Sequence, residues 1–182
     1  MEELELIQRS LDGELEAWGE IVKRYKRAVF GIALGILGNP ADAEDATQEA
    51  FIRAYENLHR YDLRRRFSTW IFTIVSNICK NQLRRQRFSS IADEARIAAE
   101  DGDPAKEVLR DEHSQLVREA LDRLRFDYRA PLILRYYASL DYKEIARVLH
   151  VPEGTVKTRI HRAKAELRRI LEEKGVDAHA YD

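Results

Sequence analysis

A single cysteine, Cys79, rules out a disulfide within the chain, so packing has to hold the fold, and a reducing compartment suits it. Its expected role is that of a small buried hydrophobe. With 4 prolines and 8 glycines in 182 residues, the composition excludes fibrous and low-complexity chains. Net charge is nearly absent too, at −1. A binder of nucleic acid would therefore have to keep its positive charge apart from its negative charge. The longest uncharged stretch, Ala28 to Ala41, is interrupted by glycine and falls short of the ~20 residues of a membrane helix. The acidic opening Met1-Glu2-Glu3-Leu4-Glu5 lacks both the basic and the apolar part of a signal peptide. A soluble, cytoplasmic protein is expected.

What is present is helical pattern. Apolar residues make up 45% of the chain, enough for real cores. Ala17, Ile21, Tyr25, Ala28, Ile32 and Ile36 recur at three- and four-residue steps and share one helix face. Gly38-Asn39-Pro40 stops that helix, and further helices are predicted over about 41–58 and 68–87. No alternating strand pattern occurs. Between Ile91 and Glu112 there are eight acids and three bases, with the turn Asp101-Gly102-Asp103-Pro104 and no apolar periodicity. The predicted architecture is all-α: an N-terminal helical bundle over residues 1–88, an acidic linker over 89–112, and a C-terminal helical domain over 113–175. An acidic surface loop inside one domain is the alternative.

In the C-terminal part, Asp127 is expected to cap a helix with Pro131 in or near its first turn. Asp141 and Glu144 have capping-box spacing and open a short helix with Ile145, Val148 and Leu149 inward. The turn from His150 to Gly154 leads into a final helix, with Pro152 suited to its first position. Its inward face is Val156, Ile160, Ala163, Leu167 and Ile170, and its outer face carries Thr155, Lys157, Thr158, His161, Arg162 and Lys164. From Thr155 to Arg169, six bases face one acid. A short helix, a tight turn and a basic second helix form the pattern of a helix-turn-helix, whose second helix fits the major groove. Charge alone would equally describe a solvated amphipathic helix.

In the N-terminal part, seven bases and no acid lie between Arg64 and Ser90, interleaved with Phe67, Trp70 and Phe72. Clustered bases with aromatics suit single-stranded nucleic acid, although rings such as Trp70 also serve as core. Thr73, Asn77, Lys80, Asn81 and Arg84 share a polar, basic helix face opposite Ile71, Val75 and Ile78. The preceding helix opposes this charge, with Asp42, Glu44, Asp45 and Glu49 within eight residues that hold no base. These acids suit either a solvated helix start or a docking surface for a basic partner. No His or Cys stands near them, so a metal site is not expected, and neither is a cofactor.

Together these residues resemble an extracytoplasmic-function sigma factor of bacterial RNA polymerase. The run from Asp42 through Gln48 and Glu49 to Tyr55 is very similar to that family's core-polymerase-binding helix. Phe67-Ser68-Thr69-Trp70-Ile71 and the run Asn77 to Arg87 resemble the part that melts and reads the minus-ten element. Tyr142-Lys143-Glu144-Ile145-Ala146 through Val156-Lys157-Thr158-Arg159-Ile160-His161-Arg162-Ala163 resembles its minus-thirty-five reader. The resemblance covers about residues 8–90 and 113–171. It implies core-polymerase contacts by Asp42, Glu44, Asp45, Gln48, Glu49, Phe51 and Ile52. It implies minus-ten contacts by Arg66, Phe67, Ser68, Trp70, Thr73, Asn77, Lys80, Asn81, Arg84 and Arg85, and minus-thirty-five contacts by Thr155, Lys157, Thr158, Arg159, His161 and Arg162. The implied partners are core RNA polymerase through its largest and second-largest subunits, promoter DNA as duplex and as single strand, and an anti-sigma factor, through which alone a membrane could hold the chain. The linker would thread toward the polymerase active centre. Many relatives have Gly where His150 stands, and His tolerates positive φ better than most residues.

Two other readings use fewer of these features. A free-standing helix-turn-helix regulator leaves the basic-aromatic and acidic helices of the N-terminal part unexplained. A nuclease built on Asp42, Glu44 and Asp45 lacks a His–carboxylate cluster, a nucleophile motif and a phosphate loop. The expected chain is not an enzyme.

Overall fold

The computed structural model describes residues 2–93 and 112–175, and among these there are eight α-helices and no strand. The acidic linker expected over residues 89–112 lies largely outside the described residues.

In the N-terminal half, α1 (Glu3–Leu11) and α3 (Pro40–Glu56) pack on α2 (Leu15–Leu37), and α4 (Phe67–Asp93) closes the bundle against α2 and α3. The predicted stripe of α2 is inward: Ala17, Ile21, Ile32 and Ile36 are buried, and Tyr25 and Ala28 pack against them. Gly38 ends α2 at φ 77°, its N–H donating to the Leu34 carbonyl. Asn39 then caps α3, its side-chain oxygen accepting from the Asp42 N–H at 3.1 Å, and Pro40 takes the first position. Ala43, Ala46, Ala50 and Ala54 form the buried face of α3, where small side chains let its backbone approach α2 closely.

A cluster of rings fills one end of the bundle. Phe67 has no exposed surface, and Tyr25, Tyr61, Trp70 and Trp18 lie 5.2, 5.6, 5.6 and 6.3 Å from it, centroid to centroid. The helix expected to stop near Arg87 runs on to Asp93, since neither Gly nor Pro interrupts it.

The C-terminal half is α5 (Glu112–Asp122), α6 (Phe126–Tyr136), α7 (Tyr142–Leu149) and α8 (Glu153–Glu173), with α8 packed on the other three. Two expectations shift register here. Asp127 does not cap α6: the cap position is Arg125, which offers no side-chain bond, and Pro131 is the sixth helical residue, not one of the first turn. Asp127 instead pairs with Arg159 of α8 at 3.2 Å. Pro152 stands at the cap of α8, one residue before the first helical position.

The two halves touch. α2 packs against α5 and α6, while α4 packs against α6 and α7. Arg129 of α6 is buried at this junction, donating from Nε to the Gly35 carbonyl at 2.7 Å and pairing with Asp122. Cys79 is also buried, and burial pushes its thiol up to about 12, which leaves it an inert apolar filler at neutral pH.

Candidate nucleic-acid and polymerase interfaces

The helix-turn-helix is built from local signals. Asp141 accepts from the Glu144 N–H at 2.7 Å, and the Glu144 carboxylate accepts from the Asp141 N–H at 3.0 Å, which closes the capping box that starts α7. His150 ends it in the left-handed region at φ 53°, where a glycine would be unstrained. Val156, Ile160 and Ala163 are buried, which fixes the rotation of α8. Lys157, Thr158, His161 and Arg162 consequently face solvent, while Thr155 and Arg159 are half-buried.

Contacts position this outer face. Lys157 reaches Glu153 at 3.1 Å and sits 5.9 Å from the Tyr142 ring, which also takes the Arg135 guanidinium at 5.2 Å. Thr158 donates its hydroxyl to the Gly154 carbonyl at 3.0 Å. Arg159 is tied to Asp127, so of the outer-face arginines Arg162 is the more exposed. A shallow hollow of about 370 Å3 collects Arg125, Arg159 and Arg162 beside the start of α8. Sequence reasoning missed Arg125, because it precedes a different helix and joins the hollow only through tertiary packing.

On α4, Asn77, Lys80, Asn81, Arg84 and Arg85 are exposed, and Ser68, Trp70 and Thr73 are half-buried. Phe67, expected to contact DNA, is instead the centre of the ring cluster. Its position opposite α2 buries it completely. Phe72 is core as well. Arg66 is exposed and pairs with Glu144 of α7 at 2.9 Å, and Lys80 sits 5.8 Å from the Phe126 ring of α6. Between Arg64, Arg66, Trp70 and Thr73 on one side and Glu144, Arg147 and His150 on the other lies a cleft of about 880 Å3.

On α3, Glu44, Asp45, Gln48, Glu49 and Ile52 are exposed, and Asp42 is half-buried, accepting from Gln86 of α4 at 3.1 Å. Glu49 pairs with Arg53 one turn on. Phe51 corrects a second expectation: it is buried, edge-on to Trp18 at 6.3 Å, and belongs to the core. Ile52 is 59% exposed amid the acids. No group of His, Cys, Asp and Glu among the described residues could hold a metal ion, and no described helix is long and apolar enough to cross a membrane.

Residues 21–89 match the Sigma-70 region 2 family, and residues 114–167 match Sigma-70, region 4. The chain is 34% identical over 176 residues to the ECF RNA polymerase sigma factor SigW of Bacillus subtilis, covering 91% of this chain and 94% of that one. It is 34% identical over 170 residues to the ECF RNA polymerase sigma-E factor of Escherichia coli K12, covering 87% and 88%. The fold is similar to that of CnrH, solved with the cytosolic domain of CnrY (TM-score 0.71, 24% identity, 93% and 97% covered). It is also similar to that of the sigma factor RpoE from Bartonella quintana, solved with the anti-sigma factor NepR (TM-score 0.69, 24% identity, 85% and 96% covered). The half with the basic α4 and the half with the helix-turn-helix are thus sigma regions 2 and 4, and the chain belongs to the extracytoplasmic-function family of RNA polymerase sigma factors.

Proposed function

We propose a division of labour among three surfaces of this sigma factor. The outward row of α3, with Asp42, Glu44, Asp45, Gln48, Glu49 and Ile52, docks on core polymerase. The outer face of α8, with Thr155, Lys157, Thr158, Arg159, His161 and Arg162, reads the upstream minus-thirty-five duplex. The polar face of α4, with Arg66, Ser68, Trp70, Thr73, Asn77, Lys80, Asn81, Arg84 and Arg85, captures the opened strand at the minus-ten element. Residues 1–88 and 113–175 are the two working domains, and residues 89–112 join them.

The supporting observation is the segregation of charge. A chain of net charge −1 carries two exposed basic faces on separate helices, α4 and α8, and one exposed acidic row on α3. Duplex DNA suits a helix that fits the major groove, and single strand suits bases with a ring beside them. The chain makes and breaks no bond. It binds open DNA better than closed and so shifts the equilibrium toward the bubble. Relatives solved with NepR and CnrY support an anti-sigma partner for this chain too. The chain acts in the cytoplasm, and only such a partner would hold it at a membrane.

Run-off transcription tests the reading. Core polymerase with this chain should give discrete transcripts from a subset of a promoter library, and core polymerase alone should give none. Transcription that is indifferent to the chain would sink the proposal.

A further inference from the structure

The cleft between region 2 and region 4 has a lining that strand capture does not account for. Its volume of about 880 Å3 lies within the ~300–1,000 Å3 of small-molecule sites, which favour junctions between domains. Region 2 supplies Arg64, Arg65 and Arg66 from the approach to α4. Region 4 supplies Lys143 and Arg147 from α7, and neither belongs to a face assigned to DNA. All five cations are exposed.

The carboxylates of the cleft do not cancel this charge. Asp141 and Glu144 are already engaged, each accepting from the other's N–H in the capping box, and Glu144 also takes Arg66. Arg65 lies 3.6 Å from Asp62 at the exposed rim. Five cations against two acids in one cleft attract an anion of several charges. Guanidinium forks suit phosphate in particular, since they can bind two of its oxygens at once.

A ring stands among these cations. Trp70 lines the cleft half-buried, and Tyr61 at 5.0 Å and Phe67 at 5.6 Å pack against it and fix its plane. Such a ring can stack a nucleobase of any identity. Thr73, also in the lining, donates its hydroxyl to the Thr69 carbonyl at 2.8 Å, which leaves its oxygen free to accept from a ligand.

We propose that this cleft binds a nucleoside polyphosphate, with its base on Trp70 and its phosphates between the arginines of region 2 and Lys143 and Arg147 of α7. A DNA strand carries one charge per nucleotide, whereas a nucleoside polyphosphate gathers several on one nucleoside, as the crowding of cations here requires. Arg66, Trp70 and Thr73 also belong to the strand-capturing face, so bound nucleotide and captured strand exclude each other. The nucleotide therefore opposes promoter opening. That consequence rests on the assignment of α4 to strand capture, while the binding itself does not.

The test follows the anisotropy of N-methylanthraniloyl-ATP titrated with the full-length protein. The wild type should bind it saturably. Unlabelled ATP should displace it at least about tenfold more effectively than inorganic tripolyphosphate, which has no base to stack. Lys143→Ala with Arg147→Ala removes only the cations of α7, at exposed sites where alanine favours the helix. This variant should bind the nucleotide about tenfold more weakly and a fluorescent single-stranded promoter oligonucleotide as tightly as the wild type. Arg84→Ala, outside the cleft, should do the reverse. If Arg84→Ala leaves strand binding intact while the α7 variant still loses the nucleotide, the strand assignment falls and the nucleotide site stands. Absence of saturable binding, equal displacement by tripolyphosphate, or unchanged nucleotide affinity of the α7 variant would overturn the site. An α7 variant that loses nucleotide and strand alike would overturn it as well, since the cleft would then be part of one strand-binding surface.

Discussion

Phe67 shows how one buried side chain supports the helix that carries a candidate binding face. It opens α4, and the rings of Trp18, Tyr25, Tyr61 and Trp70 pack around it. It thereby anchors the first turn of the helix that carries Thr73, Asn77, Lys80 and Arg84. Phe67→Ala should destabilise the protein by ~3–5 kcal/mol, the range for emptying a buried aromatic site. Arg84→Ala, at an exposed site, should fall within ~0.5 kcal/mol. Urea unfolding followed by tryptophan fluorescence checks both values. A small effect at Phe67 would mean that the ring is not buried in solution. Sequence alone could not separate the rings here, because an aromatic beside arginines satisfies both a stacking platform and a core. What decides is the face it takes, and α2 sets that face. The same holds for Phe51 beside Ile52: adjacent on α3, one is buried and the other 59% exposed.

Elements with punctuation were legible and those without it were not. α2 ends at Gly38 as its sequence requires, and α7 starts at the Asp141–Glu144 box with His150 at positive φ behind it. α1 escaped notice because only Leu6, Ile7 and Ser10 turn inward, too few for a periodic signal. The α6 start was misplaced because Asp127 looks like a cap but serves Arg159. The acidic row of α3 was visible as composition, and Glu44, Asp45, Gln48 and Glu49 are exposed as that pattern predicts. Asp45→Lys or Glu49→Lys should weaken binding to core polymerase by several kcal/mol, as charge reversal does at a complementary interface. Thermal unfolding should barely change, since both sites are exposed. Unchanged affinity for core polymerase would return these acids to the role of a solvated helix start.

At the scale of the whole molecule, opposite charges cancel in total and stay apart in space, which is how a chain of net charge −1 presents two basic faces. Because the faces sit on α4 and α8, in separate halves, they can be disabled separately. The most direct measurement is open-complex formation by holoenzyme on a duplex promoter and on the same promoter with its minus-ten region already unpaired. Arg162→Ala should weaken upstream recognition by ~1–3 kcal/mol, with a smaller defect on the unpaired template. Asn81→Ala or Arg84→Ala should impair opening on the duplex while upstream binding by region 4 stays normal. If both classes of variant lose equally on duplex and unpaired templates, the division of labour between α4 and α8 is contradicted.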